Sequence, residues 1–314
     1  MVSSASIFVA GHRGLVGSSI VRALRAAGYE NLVLAGREEL DLRVQSQVKE
    51  FFARHRPEYV FLAAAKVGGI LANSTMPADF IYDNLTLQTN VIDSAWRHGC
   101  RKLLFLGSSC VYPRLAPQPI REESLLSGEL ESTNEWYAIA KIAGIKMCQA
   151  YRLQHGFNAI SLMPTNLYGP GDNFDLRNSH VLPALMRKFA DAVATGAKEV
   201  VVWGSGTPRR EFLHTDDLAS AALFLMRHYD SGDWINVGTG EDLTIRELAE
   251  SIARLTGFSG DLVFDASKPD GTPRKLLDVS RINALGWKAR IPLEQGLADA
   301  YSWYLANVPQ TVGR

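Results

Sequence analysis

Through the first half of the 314-residue sequence, short apolar segments alternate with amphipathic ones, and few folds accommodate that pattern. The apolar segments are predicted strands, and the amphipathic segments, with an apolar side chain every three or four residues, are predicted helices. The segment 59–65 is apolar throughout, which indicates a strand buried on both faces, as in a parallel sheet. The sequence therefore predicts an α/β fold built on a Rossmann-type doubly wound parallel sheet. The predicted strands are 6–10, 31–35, 59–65, 102–107 and 158–163, and the predicted helices are 45–56, 79–97, 135–155 and one that stops at Gly28.

The rhythm changes after Pro164. A Gly- and Asn-rich segment at 168–173 and a polar, Pro-containing stretch at 203–210 flank a predicted helix at 182–194. The segment 234–238 resembles another strand of the first sheet, after a predicted helix at 216–228, so we expect a second domain that is discontinuous. The predicted domains are a Rossmann domain, 1–167 and 212–238, and a smaller, mostly C-terminal substrate domain, 168–211 and 239–314.

Charge and cysteine content exclude several functional classes. Thirty-three basic residues balance thirty-three acidic ones, so we expect no sequence-independent binding to nucleic acid or to a membrane surface. No stretch approaches the roughly 18 apolar residues of a membrane span, and we expect a cytoplasmic protein. The spacing of Cys100, Cys110 and Cys148 predicts free thiols and no metal site.

A glycine cluster follows the first predicted strand. Gly11, Gly14 and Gly17 are spaced G-x-x-G-x-x-G before a predicted helix, which is typical of a turn that holds the pyrophosphate of a dinucleotide at a helix N-terminus. The alternative is a tight turn that binds no ligand. The position of the glycine cluster, after the first predicted strand and before a helix, argues against that alternative.

The sequence also indicates which dinucleotide binds. The carboxylate that usually holds the ribose of NAD is replaced by Gly36-Arg37 at the end of the second predicted strand. Arg37 and Arg13 are therefore predicted to bind the 2′-phosphate of NADP, with Asp41 and Leu42 beside the adenine. Two solvated surface arginines are the alternative.

Tyr137 and Lys141 lie four residues apart, on one face of a predicted helix. An ammonium beside a phenol favours the phenolate, so we expect Lys141 to lower the pKa of Tyr137 toward the range of a proton donor to a carbonyl oxygen. Ser108 or Ser109, at the end of a predicted parallel strand, supplies a hydroxyl to the same oxygen. The Y-x-x-x-K pattern alone also occurs on helix surfaces by chance.

These features together resemble the extended short-chain dehydrogenase/reductases that act on nucleotide sugars, and the resemblance covers essentially the whole chain. It implies an NADPH-dependent enzyme that epimerises C3 and C5 of GDP-4-dehydro-6-deoxy-D-mannose and reduces C4, active as a homodimer. The motifs that carry it are 11–14, 106–113, 163–169, 203–212 and 268–275. The resemblance implies that the cofactor contacts Gly11, His12, Arg13, Gly14, Leu15, Val16, Gly17, Arg37, Asp41, Leu42, Leu106, Gly107, Lys141, Pro164, Thr165, Asn166, Leu167 and His180.

Inverting carbons beside a ketone requires a proton to leave one face and another to return to the opposite face, so two proton carriers are needed besides Tyr137. Cys110 and His180 are the candidates, since a thiolate is a competent base and histidine titrates near neutrality. The alternative interpretations are that Cys110 is a small buried side chain that only fills space, and that His180 is a loop or helix-cap residue.

The resemblance places the substrate against Lys188, Trp203, Arg210 and Asp270. Lys188, Arg210 and Lys275 are cations that suit a diphosphate, while Trp203 offers a flat face and Asp270 hydrogen-bond acceptors. Solvated charges and a core tryptophan are the alternative.

Two other functions remain open from the sequence. A related nucleotide-sugar 4-epimerase, 4,6-dehydratase or 4-reductase would use the same Ser, Tyr and Lys. Dehydratases of this fold carry an acidic pair where this chain has Cys110-Val111, and the two arginines oppose a tightly held NAD. A non-enzymatic NADP-sensing regulator is the other class, and the presence of both Tyr137 and Lys141 opposes it.

Overall fold

The computed structural model describes residues 1–176, 178–268 and 270–309. Pro269 of the motif 268–275 and the last five residues of the predicted substrate domain lie outside the described residues. Within those ranges, no helix combines the length and the apolar character that crossing a membrane requires.

Six parallel strands form the central sheet, in the order β2-β1-β3-β4-β5-β10. Consecutive strands run outward from β1 in both directions, which confirms the predicted doubly wound sheet and puts the switch point between β1 and β3. The strands are buried along their length except β2, so the predicted parallel core is confirmed. Their bounds are β1 Ile7–Ala10, β2 Leu32–Val33, β3 Tyr59–Leu62, β4 Lys102–Leu106, β5 Ala159–Pro164 and β10 Ile235–Val237.

Helices cover the sheet in two groups. One helix, α1, packs against α7, while α4 packs against α2 and α5. Ile20 and Leu24, four residues apart, are fully buried on one face of α1. The helix ends before Gly28, whose φ of +80° is a left-handed conformation that residues with a β-carbon rarely adopt. The bounds are α1 Leu15–Ala26, α2 Gln45–His55, α3 Ile70–Thr75, α4 Pro77–Arg97, α5 Glu135–His155 and α7 Thr215–His228.

A second hydrophobic core lies outside the sheet, centred on fully buried Phe189 and Leu248. Strand β7 pairs with β12, β6 with β9, and β8 lies between β11 and β13. Residues 276–287 contribute Leu277, Ile282 and Trp287 to the first core. The division into domains stays a prediction. The remaining elements are β6 Asn166–Tyr168, α6 Val181–Thr195, β7 Glu199–Trp203, β8 Arg209–Arg210, β9 Phe212–His214, β11 Leu243–Thr244, α8 Ile245–Thr256, β12 Asp261–Asp265, β13 Arg274–Lys275, α9 Ser280–Ala284 and α10 Leu293–Asn307.

Candidate active site

The glycine loop forms the floor of a cleft of about 560 Å³ at the switch point between β1 and β3. A β-carbon on Gly17 would lie 2.0 Å from the carbonyl oxygen of Gly11, and one on Gly11 would lie 2.8 Å from the backbone of Ala64. Gly14 is the N-cap residue of α1, carries no side-chain cap and lines the cleft, so the positive end of the helix dipole lies at the cleft. The loop and the cleft therefore fit the pyrophosphate of a dinucleotide.

His12 and the first residues of α1 complete this loop. Nδ1 of His12 is buried without a hydrogen-bond partner among the described residues, and burial together with the charge of Arg13 lowers its pKa. Leu15 and Val16 follow as the first turn of α1.

Both arginines predicted to read a 2′-phosphate line the cleft. The Arg13 guanidinium is 2.5 Å from a carboxylate oxygen of Glu38, and Nε of Arg37 is 4.0 Å from Asp41. Their side chains are 65% and 74% exposed, so neither is committed to a buried partner. The two cations are available to an anion that enters this end of the cleft.

The wall of this cleft also holds a charged group that the sequence motifs do not indicate. Arg43 contacts Asp41 at 2.7 Å and Asp83 at 3.1 Å, and Lys66 contacts Asp83 at 3.3 Å. The hydrogen bond from Arg43 lowers the pKa of Asp41 to about 2. Leu42 lines the cleft beside them. The signal that could have found Arg43 is its place directly after Asp41-Leu42.

The hydroxyls of Ser108 and Tyr137 meet at the carboxyl end of β4. Ser108 follows the strand and accepts a hydrogen bond from the Cys110 backbone N–H at 3.2 Å. Its side chain is near enough to the Tyr137 phenol to lower the pKa of that group, against the larger effect of burial. Ser109, the alternative, is buried. The sequence leaves open which of the two serines is near Tyr137. In the structure it is Ser108.

Lys141 is buried and donates a hydrogen bond to the Leu106 carbonyl oxygen at 2.7 Å. Its Nζ is 5.8 Å from the centre of the Tyr137 ring. Burial lowers the pKa of Lys141 to about 7 and raises that of Tyr137, and the charge of Cys110 raises the latter further. The pKa of Tyr137 is therefore raised rather than lowered as expected, because burial disfavours the charged phenolate. Tyr137 is held as the neutral phenol.

Cys110 is half-buried beside this pair, with two nitrogen donors on its sulfur. Nδ2 of Asn134 is 3.4 Å from Sγ, and Nζ of Lys275 is 3.7 Å away. Asn134 precedes α5, and Lys275 lies on β13. Sequence analysis assigned Lys275 to a diphosphate and missed Asn134, because both reach the sulfur only through the fold.

His180 lies at the N-cap of α6 with its side chain exposed. Desolvation by the protein around the ring lowers the pKa of His180, although the residue keeps an exposed surface, and the charge of Lys275 lowers that pKa further. Lys275 therefore lies near both predicted proton carriers.

The remaining residues predicted to contact the cofactor follow β4 and β5. A β-carbon on Gly107 would lie 2.3 Å from the sulfur of Met163, so a larger residue here would have to displace that side chain. Thr165 and Asn166 donate their side-chain hydrogen bonds to the Glu211 carbonyl oxygen, at 3.2 and 2.8 Å. Pro164 ends β5, and Leu167 lies within β6.

The four residues predicted to bind substrate lie near one another in two pairs. Nζ of Lys188 is 5.2 Å from the centre of the Trp203 ring, which is 54% exposed, so the core alternative for Trp203 is excluded. Arg210 donates to the Asp270 carbonyl oxygen at 3.3 Å. The Asp270 carboxylate accepts hydrogen bonds from the backbone and hydroxyl of Ser205 at 2.7 and 2.8 Å, so it ties its loop to the loop that follows β7.

The sequence of the chain is similar to those of known proteins. The model of the NAD dependent epimerase/dehydratase family matches residues 7–238. A protein of Oryza sativa subsp. japonica named "Probable GDP-L-fucose synthase 1" is 65% identical over 303 residues, which are 96% of this chain and 92% of that protein.

Two solved structures extend the similarity to the fold. A GDP-6-OMe-4-keto-L-xylo-heptose reductase from C. jejuni is 40% identical with a TM-score of 0.94, over 98% of this chain and 99% of the reductase. A GDP-L-fucose synthetase from Naegleria fowleri bound to NADP is 31% identical with a TM-score of 0.90, over 98% of this chain and 96% of that chain. The cleft described above thus lies in a fold that holds a nicotinamide cofactor.

Proposed function

The chain belongs to the NAD dependent epimerase/dehydratase family, and we propose that it is an NADPH-dependent enzyme that converts GDP-4-dehydro-6-deoxy-D-mannose to GDP-L-fucose. It epimerises C3 and C5 of the sugar and reduces the C4 carbonyl. The observation that carries the proposal is the cysteine: a half-buried thiol, in contact with an ammonium, lies beside the Ser108–Tyr137 pair. A simple reductase needs no such base. The names of the Oryza sativa and Naegleria fowleri proteins support the same activity.

In the reduction, the cofactor supplies a hydride to C4. Tyr137, which burial keeps as the protonated phenol, donates a proton to the C4 oxygen. Ser108 orients the carbonyl by donating a second hydrogen bond. Lys141 lies one turn of α5 from Tyr137, where its hydrogen bond to the Leu106 carbonyl holds it in place. Because its pKa is about 7, losing its proton near neutral pH costs little free energy.

In the epimerisation, the same two hydroxyls hold the ketone while its α protons exchange. Their hydrogen bonds stabilise the negative charge that develops on the carbonyl oxygen when a neighbouring C–H bond breaks. Cys110 removes the proton as a thiolate, and His180 returns one to the opposite face. The lowered pKa of His180 leaves the ring mainly neutral at pH 7, so its protonated form, and with it reprotonation, becomes more abundant as the pH falls.

The nucleotide end of the substrate extends toward the second core. Burial lowers the pKa of Lys188 and of Arg210, which marks both as cations placed where a diphosphate would compensate their desolvation. Trp203 presents an exposed ring for the base. The same proposal includes a preference for NADP over NAD, which is supported by Arg13 and Arg37 in the cleft. It also includes a homodimer and a cytoplasmic location.

The test is to follow purified protein with GDP-4-dehydro-6-deoxy-D-mannose and NADPH in deuterated water by NMR. We expect GDP-L-fucose with deuterium at C3 and C5. Cys110→Ser should release no deuterated product and slowly give a GDP-6-deoxy sugar of the D series, whereas Tyr137→Phe should reduce about 10² to 10⁴ times more slowly. Cys100→Ser, at a thiol buried elsewhere, is the matched control. Wild-type reduction without deuterium at C3 or C5 would indicate a simple 4-reductase and refute the proposal.

A further inference from the structure

Strands β8 and β13 place two pairs of cations on opposite faces of one small sheet. Arg209 is the register partner of Arg274, and Arg210 is the partner of Lys275. Side chains of register partners leave a sheet on the same face, and like charges placed so are mutually destabilising. Each pair therefore needs a negative group to compensate it.

Among the described residues, a carboxylate lies between the members of only one of the two pairs. Asp242 contacts Nε of Arg209 at 2.9 Å and Nε of Arg274 at 2.5 Å, with its own side chain 5% exposed. In the part of the chain that the structure describes, no carboxylate oxygen lies within 4 Å of the side-chain nitrogens of Arg210 or Lys275. The polar group that Lys275 reaches is the Cys110 sulfur, at 3.7 Å.

The groups around the Cys110 sulfur are cations, an amide donor and a phenol. Lys275 and Arg210 approach from β13 and β8, and Asn134 donates a hydrogen bond from the start of α5. Tyr137 faces the thiol from α5 as a neutral phenol. Asp270 and Glu131 are the carboxylates whose charges reach Arg210, and Glu131 is engaged by Arg114 at 3.2 Å.

We propose that Lys275 is a catalytic residue of the epimerisation, whose ammonium compensates the thiolate of Cys110 as Asp242 compensates the two arginines on the other face. The inference rests on the proposed function for its role in turnover. The thiolate takes the α proton, the C–H electron pair becomes the C=C bond of the enolate, and the carbonyl oxygen takes the negative charge. The ammonium keeps its proton throughout and loses its counter-charge when the S–H bond forms, so it also favours return of the thiol to thiolate.

Thiol alkylation tests the inference without substrate or cofactor. Cys100 and Cys148 are 7% and 1% exposed, and burial raises the pKa of both to about 12, so iodoacetamide at pH 7 should label Cys110 alone in the folded chain. Peptide mass spectrometry identifies the labelled residue, and Cys110→Ser removes the signal. Labelling of Cys100 and Cys148 reports any variant that fails to fold.

We expect Lys275→Met to slow the labelling of Cys110 about tenfold, since a cation in contact with a thiol favours its ionised form. Lys275→Arg should restore the rate to within about threefold of the wild type. Arg274→Gln is the matched control, because it removes the neighbouring charge on the opposite face, keeps a hydrogen bond to Asp242, and should leave labelling unchanged. Lys275→Gln serves if the methionine variant unfolds.

A labelling rate that is the same in folded Lys275→Met or Lys275→Gln and in the wild type would overturn the inference. Deuterium incorporation at C3 and C5 should fall with the labelling rate in each variant. If the wild type makes no GDP-L-fucose, the proposed function fails, while the labelling rates still decide whether Lys275 holds the thiolate.

Discussion

At the scale of single residues, the buried lysine of the site lowers the stability of the fold. Lys141 is 3% exposed and its pKa is about 7, whereas a lysine in an unfolded chain has a pKa of about 10.4. Between those two values the unfolded chain binds one proton more than the folded one, so wild-type stability should rise with pH by up to about 1.4 kcal/mol per unit. Lys141→Met should lack this slope and should be more stable than the wild type at pH 7. Urea unfolding of both proteins at pH 7 and 9 measures it, and equal slopes would contradict the pKa.

Arg37 is predicted to set the choice between the two nicotinamide cofactors. Charge-assisted contacts contribute about 1.5 to 3 kcal/mol each, so Arg37→Ala should weaken NADPH binding by about tenfold or more and leave NADH binding nearly unchanged. Titrations that follow cofactor fluorescence measure both dissociation constants. Arg54→Ala, which removes an exposed arginine on α2, is the control. Equal losses for NADPH and NADH would show that Arg37 does not contact the 2′-phosphate.

Sequence motifs identify residues that act together only when the residues are close along the chain. The glycine loop and the Tyr137–Lys141 pair are local patterns, and the structure brings each of them together. The contact between Lys275 and Cys110 joins residues 165 positions apart, so no spacing could reveal it. The direction of the Tyr137 pKa could not be predicted either, because it depends on how deeply the fold buries the phenol.

At the scale of elements, periodicity predicts long segments better than short ones. The predicted helix 135–155 coincides with α5, and the predicted strand 31–35 is reduced to Leu32–Val33. Strands β8 and β13 have two residues each, too few for any alternation of apolar and polar side chains to be seen. These two strands nevertheless position Arg210 and Lys275. Part of the site therefore depends on strands that the sequence pattern does not predict.

The pairing of β8 with β13 should depend on Asp242. Asp242→Asn removes the charge that compensates Arg209 and Arg274 and replaces one acceptor oxygen with a donor. We expect a loss of about 1.5 to 3 kcal/mol in the free energy of unfolding, the range for hydrogen bonds to charged groups. Labelling of Cys110 should slow in the same variant as Lys275 moves. Asp261→Asn, at an exposed residue of β12, is the control. If the Asp242→Asn protein were as stable as this control, Asp242 would not be what stabilises the pairing of β8 with β13.

At the scale of the whole molecule, the two cores are interleaved along the chain rather than consecutive. The sequence pattern changes after Pro164, and β6 and β9, which pair with each other outside the main sheet, follow that point in the chain. The sequence does not indicate that residues 276–287 return to the first core, because a short apolar segment carries no sign of which core will bury it. That segment follows β13 directly, so its return fixes the end of the strand that carries Lys275.

Glu211 is the residue predicted to hold this return in place. Its carboxylate is fully buried and accepts hydrogen bonds from the backbone N–H groups of Thr239, Gly240 and Leu277, at 2.6, 2.8 and 2.9 Å. It thereby ties the start of β9, the loop after β10 and the segment after β13. Glu211→Gln replaces one acceptor with an amide N–H₂ that faces a donor, and a buried donor left unpaired costs about 1 to 3 kcal/mol. We expect a melting temperature several degrees lower and faster labelling of Cys100 and Cys148 by iodoacetamide, with Glu199→Gln on exposed β7 as the control. A Glu211→Gln protein that melts with the control would show that the two cores are held together by packing alone.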